Sequence, residues 1–125
     1  KIKSISLMFP LYKDRNTVKL MITKSSNVLR KLKTKYEIII VDDGCPQNSG
    51  KLAKEIAKKF TNVKIFFHKK NLGYGAALNN GLKKCMNDWI LMNAGDAEYD
   101  VNDLPRLLKV SKDCDLVITY RYKKK

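Results

Sequence analysis

Two adjacent carboxylates, Asp42 and Asp43, end the apolar run Ile38-Ile39-Ile40-Val41 and are followed at once by Gly44. Such a run of β-branched residues has the composition of a strand buried on both faces. In open α/β sheets, ligands bind at the carboxyl ends of strands like this one. Neighbouring like charges repel, so the pair is expected at a solvated or ligand-facing position, although Asp-Gly also opens ordinary surface turns. A second acidic pair, Asp96 and Glu98, alternates with small residues in Asn93-Ala94-Gly95-Asp96-Ala97-Glu98-Tyr99. In an extended chain both would point the same way. Carboxylate oxygens so placed suit Mg²⁺ or Mn²⁺ bridging a diphosphate; an acidic surface turn is the plainer reading. Between the pairs, His68-Lys69-Lys70-Asn71-Leu72-Gly73-Tyr74-Gly75 is a glycine loop entering a helix. It can offer backbone N–H groups to an anion, or serve only as a tight reversal with close helix packing. It is no dinucleotide fingerprint, since Leu78 stands where a third glycine is needed, and no Walker sequence is present.

The elements around these residues follow from periodicity. Strands are predicted over residues 4–9, closed by Pro10, and over 37–41, 63–67, 89–92 and 115–119. Helices are predicted over 16–33, from Asn48 or Ser49 through Phe60, over 75–86, and from Asn102 or Asp103 onward. Regular alternation of strand and helix means an α/β fold, a mostly parallel sheet with helices on both faces. Segments 10–14, 42–48, 68–75 and 93–100 then converge on one rim, whereas the opposite connections at 33–35, 61–62 and 87–88 are short. Long loops gathered on one rim mark a binding edge.

The chain has 125 residues, enough for one domain with a core. Its 26 Lys+Arg against 12 Asp+Glu give a formal net charge of +14, which favours polyanions or anionic membrane. No zinc-ligand spacing and no aromatic-basic stretch accompanies the lysines, so a nucleic-acid partner is disfavoured. Solvated helix faces are the main reading of that charge, and attraction to a membrane surface is the functional alternative. Cys45, Cys85 and Cys114 are odd in number and far apart, which argues for a reducing, cytoplasmic setting. No apolar run approaches a membrane span, so membrane contact is expected to be peripheral, at the cytoplasmic face. The chain opens on Lys1-Ile2-Lys3 without Met and closes on Tyr120-Arg121-Tyr122 and lysines. A single domain cut at its C-terminal end is expected.

Pro10-Leu11-Tyr12-Lys13-Asp14, Val41-Asp42-Asp43-Gly44, Asn71-Leu72-Gly73-Tyr74-Gly75-Ala76-Ala77-Leu78 and Gly95-Asp96-Ala97-Glu98-Tyr99-Asp100 occur in that order. In order and spacing they resemble family 2 glycosyltransferases of the Rossmann-like GT-A fold. Within that family the chain is most similar to the dolichol- or polyprenol-phosphate mannosyl- and glucosyltransferases. The resemblance implies inverting transfer of a sugar from a nucleotide-diphosphate donor, with Mg²⁺ or Mn²⁺, to an acceptor such as a polyprenyl phosphate. It also implies roles. Pro10, Tyr12 and Asp14 match the loop that contacts the nucleotide, and Asp42 matches the acid that binds base or ribose. Asp43 and Gly73 join the nucleotide-binding set, and Asp96 matches the second acid of an Asp-x-Asp metal motif.

Departures from the family pattern are Lys13 for Asn, Asp14 for Glu, Cys45 for Ser, and Ala94 for the first acid of Asp-x-Asp. Either Glu98 then serves beside Asp96 as a metal ligand, or metal binding is weakened and lysines help neutralise the diphosphate. The family's acceptor site and any general base lie beyond the position of Tyr120-Arg121. The chain therefore reads as a nucleotide-binding half whose catalytic residues are unknown, with a non-catalytic or degenerate nucleotide-sugar-binding module as the alternative.

Overall fold

Alternate residues of the first strand bury against helices on opposite sides, and this decides the layering. The computed structural model describes residues 4–11, 18–44, 49–92, 105, 106 and 109. Its elements are β1 (Ser4–Leu11), α1 (Val18–Lys31), β2 (Lys35–Asp42), α2 (Ser49–Ala57), β3 (Val63–Phe67), α3 (Tyr74–Lys84) and β4 (Trp89–Met92). The four strands form one parallel sheet in the order β3-β2-β1-β4. Ile5, Leu7, Phe9 and Leu11 of β1 share a core with Ile38 and Ile40 of β2, Met21, Ile22 and Leu29 of α1, and Ala53 and Ile56 of α2. On the other face Met8 meets Gly81 of α3, where an added Cβ would lie 2.8 Å from its sulfur. The predicted fold class therefore holds. The predicted helix from 102 or 103 and strand over 115–119 lie outside the described residues.

Pro10 does not close the first strand, contrary to the sequence-based expectation. β1 runs on through Leu11, with Pro10 opposite Val41 and Leu11 opposite Asp42. Along a strand, successive backbone groups point to alternate sides. Leu11 faces β2, because its carbonyl accepts from Asp43 N–H at 3.0 Å, so the nitrogen of Pro10 points away from β2. The described pairing of β1 with β4 ends at Met8 and Met92, so the missing N–H removes no bond of either described ladder. The second helix likewise stops at Ala57 rather than Phe60. Its end tightens into i→i+3 bonds, Lys59 N to Ile56 O at 2.9 Å and Phe60 N to Ala57 O at 3.0 Å.

The amino-terminal edge of the sheet is tied by a buried carboxylate that periodicity did not single out. Glu37, only 5% exposed, accepts from Ser6 Oγ at 2.6 Å, from Met86 N–H at 2.5 Å and from Lys64 Nζ at 3.4 Å. Ser6 Oγ in turn accepts from Asn87 N–H at 3.2 Å, and Ser4 Oγ from Asp88 N–H at 2.9 Å. The turn from α3 into β4 is thereby fastened to β1 and β2. Burial pushes the Glu37 pKa up. The bonds from Ser6, Met86 and Lys64, with the Lys64 charge, outweigh it and hold the group below its ordinary 4.5. A depressed folded-state pKa contributes stability above the unfolded value, and that contribution is lost as pH falls through the folded value. Glu37→Gln should therefore lower unfolding stability at neutral pH by about 1.5–3 kcal/mol. Its deficit against wild type should shrink as pH drops below 4.5. Urea unfolding of both proteins over a descending pH series measures this, and a pH-independent deficit would contradict it.

Candidate functional site

β2 ends at the carboxyl edge on Asp42, with Asp43 directly after it. Both are buried, at 7% and 3% exposure, so of the two expected positions, solvated or ligand-facing, the fold does not provide the solvated one. Their side chains leave the backbone on opposite sides. Asp42 is in register with Leu11 and Phe67, and its carbonyl accepts from His68 N–H at 2.8 Å.

Asp43 turns toward the segment that precedes α3. Its Oδ1 accepts from Leu72 N–H at 2.9 Å and lies 2.8 Å from His68 Nδ1. Its Oδ2 accepts from Gly73 N–H at 3.1 Å and Asn71 Nδ2 at 3.0 Å, and its carbonyl takes a further bond from Asn71 Nδ2 at 3.1 Å. The glycine loop does present backbone N–H groups to an anion. The anion is the protein's own carboxylate, and this removes the repulsion anticipated for two neighbouring acids.

Two glycines make the closure possible. Gly44 has φ +67°, and a Cβ there would stand 2.4 Å from backbone atoms of both Lys70 and Asn71. No side chain fits between those two backbones. Gly73 has φ +99°, again a glycine conformation, and begins α3, its carbonyl accepting from Ala77 N–H at 3.1 Å. Loop 42–44 and loop 68–73 are thus one locked unit at the mouth of the sheet.

Of the sequence-predicted site residues, Pro10, Asp42, Asp43 and Gly73 lie on this carboxyl rim. Tyr12, Asp14, Asp96 and Glu98 fall outside the described residues. Among the described residues no group of three His, Cys, Asp or Glu side chains is placed to hold a metal. The sequence-predicted metal ligands, Asp96 and Glu98, both follow Met92. β4 ends there beside β1, at the same edge of the sheet as Asp42. His68 and Asn80 escaped the sequence reading. His68 Nε2 lies 2.9 Å from Asn80 Nδ2, which joins the rim loop to the middle of α3. The chain's one histidine, placed directly after a strand and before a glycine loop, was the signal that could have found it.

This geometry accords with what the chain is similar to. The family described as glycosyl transferase family 2 matches residues 6–125. An undecaprenyl-phosphate 4-deoxy-4-formamido-L-arabinose transferase of Yersinia enterocolitica is 29% identical over 123 residues, covering 97% of this chain and 38% of that protein. A dolichol-phosphate mannosyltransferase of Pyrococcus furiosus is 28% identical over 121 residues, 96% of this chain and 34% of that one. The chain thus spans well under half the length of these relatives. Among solved structures, a mannosyltransferase of Pyrobaculum calidifontis in complex with GDP-Man and Mn²⁺ superposes with a TM-score of 0.75. It is 17% identical, over 87% of this chain and 32% of that one. Glucosyl-3-phosphoglycerate synthase of Mycobacterium tuberculosis, in complex with Mn²⁺, UDP and phosphoglyceric acid, gives 0.69 at 17% identity, over 90% of this chain and 40% of that one. The structural likeness establishes the GT-A fold, and the family match over nearly the whole sequence goes further: the chain belongs to glycosyl transferase family 2.

Proposed function

We propose that this chain is the donor-binding half of an inverting glycosyltransferase that moves a sugar from a nucleotide diphosphate to a polyprenyl phosphate. The observation that carries this reading is the locked rim. Asp42 stands at the end of β2 beside the end of β1, and the loop next to it is held by Asp43 and closed over Gly44. A rigid rim of this kind places a carboxylate where the base or ribose of a nucleotide can donate hydrogen bonds to it. Pro10 on the same edge, with Tyr12 and Asp14 following it in sequence, would border the nucleotide, and Gly73 would let the backbone approach the diphosphate closely. The relatives' names support the choice of a polyprenyl phosphate as acceptor. Such an acceptor is already ionised and needs little help from a base.

Asp96 and Glu98 would hold the divalent cation. Both supply hard oxygen donors suited to Mg²⁺ or Mn²⁺, and they follow in sequence the strand β4, which ends at the rim that carries Asp42. When bound, the cation would neutralise charge on the departing nucleotide diphosphate. Among the described residues no helix is long and apolar enough to cross a membrane. Exposed lysines would favour contact with a membrane-held acceptor at the cytoplasmic face.

A thermal-shift panel of UDP-, GDP- and other nucleotide sugars, each with and without Mn²⁺, tests the donor assignment, because a ligand that binds only the folded form raises Tm. Absence of any shift would overturn it. Asp42→Ala should remove binding of the donor so identified, with the loss of a charged hydrogen bond worth about 1.5–3 kcal/mol and circular dichroism unchanged. Undiminished affinity by calorimetry would take Asp42 out of the site. For the metal, Glu98→Gln should weaken Mn²⁺-dependent donor binding, and adding Ala94→Asp should recover it. A double-mutant cycle of donor affinity over these two positions, with and without Mn²⁺, reads the coupling. Strict additivity would discard the idea that Glu98 replaces the acid absent at position 94. Metal-independent binding in every variant would favour the non-catalytic module instead.

A further inference from the structure

The lone pairs of the Asp43 carboxylate are taken up inside the protein. A carboxylate offers about four acceptor sites. The four are met by His68 Nδ1, Leu72 N–H, Asn71 Nδ2 and Gly73 N–H. Three of these partners belong to the loop that the ligand would approach. The fourth, His68, is itself held at three points. Its N–H donates to the Asp42 carbonyl at 2.8 Å, Nδ1 meets Asp43 at 2.8 Å, and Nε2 meets Asn80 Nδ2 at 2.9 Å. The side chain is 11% exposed. A carboxylate oxygen only accepts, so Nδ1 carries the hydrogen, and Nε2 is then the acceptor for the Asn80 amide. Both nitrogens have a partner of the right kind, and the ring has one orientation that satisfies them.

We infer that His68 is a positioning residue for the donor loop. Its Nδ1–H turns the Asp43 carboxylate so that the remaining lone pairs meet the Leu72 and Gly73 amides, and its Nε2, braced by Asn80, fixes the ring against α3. The inference rests on the donor-binding reading for its functional consequence. Asp43 contributes to the nucleotide site through the shape of the loop. The path runs from α3 through Asn80 and His68 to Asp43, and from there to the backbone at Leu72 and Gly73.

Two substitutions at one position separate this role from simple filling of space. Asparagine can place an amide N–H near the position of Nδ1 but cannot reach Asn80. Glutamine reaches the position of Nε2 and loses the donor to Asp43. The probe is whichever UDP- or GDP-sugar gives the largest thermal shift with the wild-type chain. His68→Gln should weaken its binding by about tenfold or more, the loss of one charge-assisted hydrogen bond and the disorder it releases. His68→Asn should recover most of that affinity. Amide hydrogen exchange at Leu72 and Gly73 should follow the same order, fastest in the glutamine variant, which loses the donor to Asp43, and intermediate in the asparagine variant, which keeps that donor and loses only the brace on Asn80.

Equal effects of the two variants on affinity and exchange, or no effect of His68→Gln on either, would overturn the inference. If the wild-type chain binds no nucleotide sugar, the donor reading falls, and exchange at Leu72 and Gly73 still decides the positioning role. Should glutamine at position 68 prevent folding, Asn80→Ala removes only the brace on Nε2. It should speed exchange at Leu72 and Gly73 while leaving Ile40 in β2 protected, and unchanged exchange at the loop would count against the inference.

Discussion

The rim of this protein is organised by the meeting of the Asp43 carboxylate with the amides of Leu72 and Gly73. A loop of this kind carries backbone donors that no sheet ladder satisfies, and each of them needs a partner. A carboxylate at the end of a buried strand has the opposite need, since it tolerates burial only where several donors converge on it. Each group is the solution to the other's problem. The positive φ angles of Gly44 and Gly73 and the backbone approach at Lys70 and Asn71 then follow as geometric conditions for bringing them together.

The same solution recurs at the opposite edge. Glu37 gathers Ser6 Oγ, Met86 N–H and Lys64 much as Asp43 gathers its loop. Each carboxylate belongs to the central pair of strands or to its immediate continuation, and each fastens the flank of a connection that involves α3. The helix is consequently held at both ends by polar contacts and along its length by Ala77 and Gly81, its buried residues. Among the described residues, apolar packing on that face is thinner than on the α1 and α2 side, where an extended cluster of aliphatic side chains fills the core. Polar fastening at the two ends keeps such a helix close to the sheet.

Much of this was legible from residue types. Runs of β-branched residues and the 3.6-residue spacing located β1 to β4 and α1 to α3 to within a few residues, because burial on one or two faces imposes those periods directly. The misjudged boundaries have local causes. Pro10 looked like a stop, but a parallel strand accommodates proline where the nitrogen faces away from its paired neighbour. The rim acids were recognised as functional candidates, yet the internal bonding of Asp43 was invisible. Alternation says that two neighbours point apart. It cannot say that one of them meets four donors brought from about thirty residues away in sequence. Ser6 with Glu37, and His68 with Asn80, escaped for the same reason, since a hydrogen bond between distant segments leaves no period behind.

Charge, the most conspicuous feature of the composition, is explained in part by the fold itself. In a parallel sheet the helices run against the strands, so their carboxyl ends lie at the edge opposite the rim. The last turns of α1, α2 and α3 carry Arg30 and Lys31, Lys54, and Lys83 and Lys84. Cations there face the negative ends of helix dipoles and are favourable by about 0.3–1 kcal/mol each. That share of the positive charge has a local cause and points to no partner. Lys69 and Lys70 stand differently. They are exposed, belong to no helix end, and sit between His68 and Asn71 on the loop that Asp43 fastens. Their backbone is fixed even though their side chains reach into solvent, so they hold positive charge at the mouth of the rim.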